Sequence, residues 1–304
     1  MCGIIGLFLK NPAMEPQLGL HAATMLQVLT DRGPDSAGFA IYNAADAGQI
    51  KLTVCDETGA DPSRLRELLE ERLGFGVGQV RHADHTVLTV PAEKEAEVRA
   101  ALATLGAGLR VVGSGYAMEL YKGVGLPETV ANRFGLPAMG GTHIIGHTRM
   151  ATESAVTTAG AHPFSTGTDQ CLVHNGSLSN HNALRRKLQR DGVPFETEND
   201  TEVAAGYLSW RLARGERLDQ ALEHALADLD GFYTFVVGTR TGFGVLRDPI
   251  ACKPAVMAET DDYVAFGTEY RALVDLPGIE DAHVFEPEPK RVYFWERDAV
   301  ERSV

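Results

Sequence analysis

A cysteine stands at position 2, in the opening MCGIIGLF, and it is the residue whose chemistry depends most on its place in the chain. After removal of Met1, Cys2 would carry a thiol and a free α-amino group. An α-amine has a pKa of about 7.7–8.0, so it can act as a general base at neutral pH. One residue would then supply a nucleophile and its base. The alternative is a small, apolar-like cysteine that fills the first strand, and Cys2 taken alone favours this alternative.

Five further motifs place polar residues close to apolar runs. Each motif alone is a weak signal, but together with MCGIIG they form a series of six in a fixed order. The series resembles the class II glutamine amidotransferases, which are N-terminal-nucleophile (Ntn) hydrolases, and the resemblance covers about 1–42 and 116–304. The five motifs are DRGPDSAG (31–38), GHTRMAT (146–152), AHPF (161–164), VHNGSLSNHNALR (173–185) and ENDTEVAA (198–205).

The resemblance implies a catalytic group of three residues. Cys2 matches the family nucleophile, and Asn175 and Gly176 match the pair whose side-chain amide and backbone N–H form an oxyanion hole. A tetrahedral oxyanion needs preorganised donors of this kind. The residues alone leave a second interpretation open, because an Asn-Gly pair is also typical of a type I′ hairpin turn.

The resemblance also implies a glutamine pocket. Arg149 matches the arginine that binds the α-carboxylate, a role suited to a planar guanidinium. Asp200 matches the acid that receives the α-ammonium, and Thr152 and His162 match residues of the pocket. Without the resemblance, Arg149 would be interpreted as a solvated surface residue and Asp200 as a helix N-cap, which Asp200 could be in addition.

The resemblance also implies residues that support the nucleophile. Arg32 and Gly33 lie in the segment that packs beside the nucleophile in the family, where Asp35 is expected only to form the loop. The four-residue spacing of His143 and His147 hints at a metal, but their apolar surroundings favour a structural role. The sequence predicts no metal, nucleotide or other cofactor, since it contains neither a complete G-x-G-x-x-G nor a Walker motif.

Two positions depart from the family pattern. Many members carry tryptophan at the position of Met150 and histidine at that of Glu153. Neither position cleaves the bond, so we expect differences in pocket shape and in coupling to a partner.

The predicted elements favour an α+β fold. Several β-strands fall into two groups separated by helices, and short turns favour antiparallel sheets. The resemblance implies an Ntn-hydrolase four-layer αββα sandwich of two antiparallel sheets across residues 1–304. Outside the region that the resemblance omits, helices are predicted at 15–30, 178–192, 201–215 and 221–231.

The omitted region, 44–115, predicts a small inserted α/β subdomain. Its patterns alternate as β-α-β-α-β, with helices at 60–74 and 93–106, and they suggest a ferredoxin-like unit. Two roles stay open for this insertion, a docking element for a partner or an inert addition.

Composition excludes several classes of function. The net charge is −13, which argues against a nucleic-acid groove or an anionic membrane surface. The apolar start is too short to span a membrane. Four widely separated cysteines do not form a disulfide scaffold, so a cytoplasmic location is expected.

The leading functional hypothesis is a glutaminase subunit that forms a γ-glutamyl thioester on Cys2. The stretch 247–276 resembles the closing strands of the glutaminase domain, and the remaining tail is too short for a synthase. We therefore expect ammonia to pass to a separate synthase subunit, because GHTRMATESAVTT and QCLVHNGSLSNHNALRR resemble subunits that work beside flavin-dependent glutamate-synthase-like enzymes, including the N-methylglutamate synthase type. The alternatives are an amidohydrolase for other γ-glutamyl compounds and a catalytically silent glutamine-binding subunit. Oligomerisation is compatible with each.

Overall fold

The computed structural model describes residues 2–43, 47–57, 62–106, 108–151 and 155–297. The helices are α1 (Leu18–Val28), α2 (Pro62–Leu73), α3 (Glu95–Leu105), α4 (Pro127–Phe134), α5 (His181–Arg190), α6 (Asp200–Leu212) and α7 (Leu218–Asp228). The strands are β1 (Gly3–Leu9), β2 (Ser36–Tyr42), β3 (Gln49–Asp56), β4 (Gly78–His82), β5 (His85–Pro91), β6 (Leu109–Gly115), β7 (Met118–Val124), β8 (His143–Arg149), β9 (Phe164–Gly167), β10 (Gln170–Leu178), β11 (Gly231–Gly238), β12 (Gly242–Arg247), β13 (Val256–Glu259), β14 (Tyr263–Gly267), β15 (His283–Phe285) and β16 (Val292–Glu296).

The first sheet has seven strands in the order β15-β13-β14-β1-β8-β2-β7, and all neighbours are antiparallel. Strand β1 lies near its centre and is buried on both faces. Its side chains alternate, as the two-residue period of a strand requires. Ile5 and Leu7 pack against α1 and α4, whereas Ile4 and Phe8 point to the opposite face.

The second sheet has five antiparallel strands in the order β16-β12-β11-β10-β9. Helices α5, α6 and α7 cover its outer face, where Leu188, Tyr207 and Leu222 join a buried cluster with strand residues. Its inner face supplies Val173, Val236 and other residues to a cluster shared with the first sheet. The layers are thus helix, sheet, sheet and helix, and the predicted αββα sandwich is confirmed.

A third sheet lies within the region predicted as an insertion. Its four strands follow the order β4-β5-β3-β6, and the elements alternate along the chain as β-α-β-β-α-β, an order typical of ferredoxin-like units. One apolar cluster joins this sheet to α2 and α3, and it includes Leu52, Leu69, Leu88 and Leu102. We refer to β3–β6 with α2 and α3 as the inserted unit, although its status as an insertion into the family domain stays a prediction.

The sequence patterns overlooked several elements. Strand β4 has the polar sequence GQVRH and is largely exposed, so it lacks an apolar alternation. Helix α4 is short but carries recognisable signals, with Pro127 at its start and Gly135 in the left-handed conformation after its end. Among the helices that the structure describes, none combines the length and apolar character needed to cross a bilayer.

Candidate active site

One cavity of about 710 Å³ opens where strand ends of the two main sheets meet. Six residues predicted from the sequence line it. Thr152 lies outside the described residues, and Arg32 and Gly33 lie beside the cavity rather than in its lining. The six lining residues are Cys2, Arg149, His162, Asn175, Gly176 and Asp200.

Cys2 precedes β1 and is half-buried, so its thiol faces the cavity instead of the core. Its neighbour Gly3 pairs with Thr148 on β8, which sets the nucleophile beside the end of that strand. The Cys2 Sγ lies 4.0 Å from the carbonyl oxygen of Met150. The sheet therefore presents the thiol at an open edge.

Two side chains hold the main chain of Cys2. Its carbonyl oxygen accepts hydrogen bonds from Arg32 Nε at 3.1 Å and from Asn175 Nδ2 at 3.2 Å. The Asn175 amide has a second N–H, because an amide nitrogen carries two donors. Asn175 can thus fix the nucleophile and still donate to a group above it.

Asn175 and Gly176 lie within β10 and pair with Thr234 and Tyr233, so the alternative of a hairpin turn is wrong. Gly176 adopts a φ of +146°, a region that residues with a side chain rarely occupy. A Cβ there would lie 1.9 Å from the carbonyl oxygen of Phe232. Only glycine fits this position without displacing the neighbouring strand.

The end of β8 is held by the loop that contains Gly33 and Asp35. A Cβ on Gly33 would lie 2.4 Å from the backbone nitrogen of Arg149. The backbone N–H of Asp35 donates to the Arg149 carbonyl at 3.1 Å, and the Asp35 carboxylate accepts from the Ala151 N–H at 2.8 Å. Asp35 thus does more than form a loop, because it fixes the backbone on both sides of Met150.

Asp200 is the first residue of α6 and borders the cavity. Asn199, not Asp200, is the N-cap, since the Asn199 side chain accepts from the Thr201 N–H. The prediction of an Asp200 cap is therefore wrong by one residue. One Asp200 oxygen accepts from the Leu178 N–H at 2.9 Å, and the other lies 3.7 Å from His174 Nδ1. A carboxylate here is also favoured by the helix dipole.

Three buried histidines, His147, His162 and His174, lie together beside the cavity, and the last two line it. His147 Nε2 bonds to the His174 carbonyl, and the rings of His147 and His162 stack at 4.0 Å. Thr201 Oγ1 lies within hydrogen-bond distance of both His162 and His174.

Burial lowers the pKa of all three histidines. It brings the pKa of His147 to about 3 and that of His162 well below its ordinary value, and Asp200 only partly offsets the effect on His174. The rings are neutral at pH 7. The His143 ring is held elsewhere, on the Thr239 carbonyl and against Tyr42, as expected for a structural residue.

Arg32 belongs to a charged group behind Cys2. It forms an ion pair with Glu269, which Arg271 also contacts. Burial by itself would raise the pKa of Glu269, but the hydrogen bonds from Arg32 and Arg271 bring that pKa below its ordinary value. The carboxylate stays ionised and holds Arg32 against the Cys2 carbonyl.

Sequence reasoning missed several residues that reach the cavity. Arg110 comes from β6 of the inserted unit, and Lys253 comes from the segment between β12 and β13. Lys122 is buried and donates to the carbonyls of Ala159 and Ala161 at 3.2 and 3.0 Å, which holds the loop that carries His162. No local pattern could reveal them, because their positions depend on long-range packing.

Comparisons with known proteins find glutamine amidotransferases. A family described as "Glutamine amidotransferase domain" matches residues 147–275. The glutamine amidotransferase-like protein GlxB of Rhizobium meliloti is 60% identical over 97% of this chain and 98% of its own length. A protein of Methanothermobacter thermautotrophicus named as a glutamine amidotransferase is 33% identical over 96% of this chain and 99% of its own length.

A solved structure shares the fold. Glutamine phosphoribosylpyrophosphate amidotransferase from B. subtilis, complexed with ADP and GMP, superposes with a TM-score of 0.62 at 20% identity. The match covers 97% of this chain and 47% of that one, so this chain spans about half the length of the solved protein. At this identity the likeness establishes the Ntn-hydrolase fold alone.

Proposed function

The chain belongs to the class II glutamine amidotransferase family, and from this membership we propose that it hydrolyses L-glutamine to glutamate and ammonia through a thioester on Cys2. The thiol attacks the side-chain amide carbon while the α-amine of Cys2, free once Met1 is removed, accepts the thiol proton. The same amine returns the proton to the leaving nitrogen, and ammonia departs. Water then cleaves the γ-glutamyl thioester, which restores the thiol and releases glutamate.

Stabilisation of the oxyanion falls to Asn175 and Gly176. The free N–H of the Asn175 amide and the backbone N–H of Gly176 are the donors in this proposal. Their support is their place in the cavity wall with Cys2 and the 3.2 Å contact that ties Asn175 to the nucleophile. Fixed donors in a partly dry site cost no reorganisation when the charge develops.

Arg149 and Asp200 bind the two charged groups of the amino acid. We assign the α-carboxylate to Arg149 and the α-ammonium to Asp200, with Thr152 and His162 completing the pocket. The charges support this assignment, because a buried guanidinium and a carboxylate at a helix N-terminus line the same cavity as the thiol.

The observation that carries the proposal is the convergence of separate segments on one cavity. Residues from the N-terminus, β8, the AHPF loop, β10 and α6 line it together. The test is to intercept the thioester with hydroxylamine during glutamine turnover. We expect glutamate and ammonia in equal amounts without hydroxylamine and γ-glutamyl hydroxamate with it, and Cys252→Ser should behave as the wild type. If neither glutamate nor, with hydroxylamine present, the hydroxamate forms, the result would contradict the proposal.

We further propose that the ammonia passes to a separate synthase subunit of the flavin-dependent, glutamate-synthase-like class. Support comes from the resemblance of the 146–158 and 170–186 segments to such subunits and from the waste of ammonia that isolated hydrolysis would entail. With amide-labelled glutamine and a reconstituted complex, label should enter the acceptor even when enzymes that consume free ammonia are present. If those enzymes capture all of the label, the result would contradict a direct transfer of ammonia between the subunits. The four free cysteines agree with the proposed cytoplasmic location.

A second candidate substrate class is favoured by the size and charge of the cavity. A volume of about 710 Å³ exceeds what one amino acid fills, and Arg110 and Lys253 add cations beyond Arg149. Larger γ-glutamyl compounds with a second acidic group would fit these features. Comparing kcat/KM for glutamine and for γ-glutamyl dipeptides separates the two classes, and we expect glutamine to be the better substrate.

A further inference from the structure

Cys55, Asp84 and His85 form a cluster outside the catalytic cavity. Each offers one ligand atom, a thiol sulfur, a carboxylate oxygen or a ring nitrogen, and the three atoms lie within 4.8 Å of one another. All three residues belong to the inserted unit. No part of the proposed glutaminase reaction uses them.

The register of the third sheet brings them together. Cys55 on β3 is the direct partner of His85 on β5, so the two side chains lie on the same face. Asp84 occupies the tight turn between β4 and β5, and its carboxylate contacts His85 Nδ1 at 3.0 Å.

This face packs against the main body of the protein. On the same face of β3, Thr53 contacts the backbone of Leu120 on β7. The His85 ring meets Phe134 of α4 edge-on, at 4.8 Å between centroids. The cluster therefore lies at the seam between the inserted unit and the first sheet.

The burial of the cluster is unusual for such polar groups. The Cys55 and His85 residues are 1% and 0% exposed, and His85 Nε2 is buried without a hydrogen-bond partner among the described residues. Asp84 faces the other ring nitrogen, Nδ1, so a cation shared with this carboxylate would bind His85 at Nδ1.

We propose that Cys55, Asp84 and His85 bind one transition-metal ion of the zinc class. Sulfur, nitrogen and oxygen together suit Zn²⁺ or Co²⁺ rather than Mg²⁺ or Ca²⁺. A thiolate and a carboxylate would balance the charge of the dication, and water would complete a tetrahedron. Ligand atoms around Zn²⁺ lie about 3.3–3.8 Å apart, so the cluster must contract by about 1 Å.

Binding requires that Cys55 release its proton to solvent as the metal–sulfur bond forms. Without metal, burial raises the pKa of this thiol to about 12, which keeps it protonated and unsuited to nucleophilic chemistry. Lys122 and Arg133 lie near enough to oppose a cation at His85. The thiolate and the carboxylate at the site would offset this repulsion.

The consequence would be a clamp between β3 and the β4–β5 turn. It would stabilise the face of the inserted unit that packs on the main body, and so the position of Arg110, which reaches the catalytic cavity from the same unit. Metal would then raise the unfolding temperature without being needed for the glutaminase reaction.

The test uses the full chain, stripped with a chelator, in a Cys2→Ala background that removes the accessible catalytic thiol. Titration with Co²⁺ should give a thiolate-to-cobalt charge-transfer band, and competition with a chromophoric chelator should give one equivalent of Zn²⁺. Cys55→Ser should abolish the band and weaken Zn²⁺ binding at least about 100-fold, whereas the matched Cys252→Ser should leave both unchanged.

Two outcomes would overturn the proposal. One is the absence of the band in the parent chain, and the other is equal Zn²⁺ affinity in Cys55→Ser and Cys252→Ser. If Cys55→Ser does not fold, the Zn²⁺ affinity of Asp84→Asn, in the half-exposed turn, decides the question. We expect this variant to bind Zn²⁺ about 10-fold more weakly or worse. Unchanged affinity in that variant would also contradict the site.

Discussion

The catalytic cavity and the inserted unit each place a cysteine near a histidine and a carboxylate, but they give it opposite properties. Cys2 stands ahead of its strand, half-buried, with its carbonyl held by Arg32 and Asn175 and its thiol open to a cavity. Cys55 is the second-last residue of its strand and is 1% exposed, and without metal its thiol stays protonated. The same residue type is thus suited to nucleophilic attack in one place and to metal binding in the other.

The difference teaches that burial decides which chemistry each cysteine suits, since both stand within one residue of a strand end. Polar groups around Cys2 hold its backbone, and the residue lines the cavity. Around Cys55 the face of β3 packs on the main body, and the register with β5 brings His85 and Asp84 within 4.8 Å of the sulfur. The following predictions test this contrast, from the largest expected effect to the smallest.

Exchange of the two cysteines for alanine should separate the regions most strongly. Cys2→Ala should lower kcat/KM for glutamine by about 10⁴-fold or more, since no other group replaces a lost nucleophile. Cys55→Ala should change kcat/KM by less than about 3-fold at a temperature where it stays folded. The assay is glutamate release. A similar loss in both variants would remove the contrast.

Asn175→Ala should lower kcat by about 10²–10³-fold with little change in KM, as expected for one oxyanion donor. The exposed Asn182 on α5 offers a matched control, and Asn182→Ala should leave both constants unchanged. Steady-state kinetics measures the effects on kcat and on KM separately. A rise in KM alone would assign Asn175 to substrate binding instead.

Arg149→Lys should raise KM for glutamine by about 10–100-fold, because a lysine cannot form the bidentate contact with a carboxylate. An analogue that lacks the α-carboxylate provides the control, since it should react equally slowly with both enzymes. If the variant loses the same factor with both substrates, Arg149 acts on the structure of the site and not on the carboxylate.

Acidification should destabilise the group of buried histidines. Their folded pKa values lie below that of an unfolded histidine, so only the unfolded chain takes up protons as the pH falls below about 6.5. The stability present at pH 7.5 is lost progressively as the pH falls, and His147, whose folded pKa is about 3, contributes a loss of about 2 kcal/mol by pH 5.0.

Urea denaturation at pH 7.5 and 5.0 measures this loss. His147→Phe should reduce it by about 2 kcal/mol. An identical pH dependence in His147→Phe and the wild type would contradict the assignment.

Much of the cavity could be predicted because its residues lie in short contiguous motifs. Cys2, Arg149, Asn175 and Asp200 each stand in a motif that can be recognised from its letters alone, such as the glycine that follows Asn175. The α+β class was predictable from the strand and helix patterns, and the four-layer arrangement followed from the family resemblance.

The remainder depends on contacts between distant segments. Arg110 reaches the cavity only because the inserted unit packs beside β9, and nothing in the sequence LRVVG indicates this. The Cys55, Asp84 and His85 cluster arises from the register of β3 and β5, which a spacing search cannot reveal. Asp35 and Glu269 were likewise missed as supports, because their partners are far away in sequence.

The most direct test of the central claim is the intact mass of the purified protein before and after treatment with a diazo-ketone analogue of glutamine. Our account predicts a chain that lacks Met1 and gains one adduct, which peptide mapping assigns to Cys2. A processed chain that stays unlabelled, or an adduct on another residue, would contradict the role of Cys2 as the nucleophile of a glutamine-binding site.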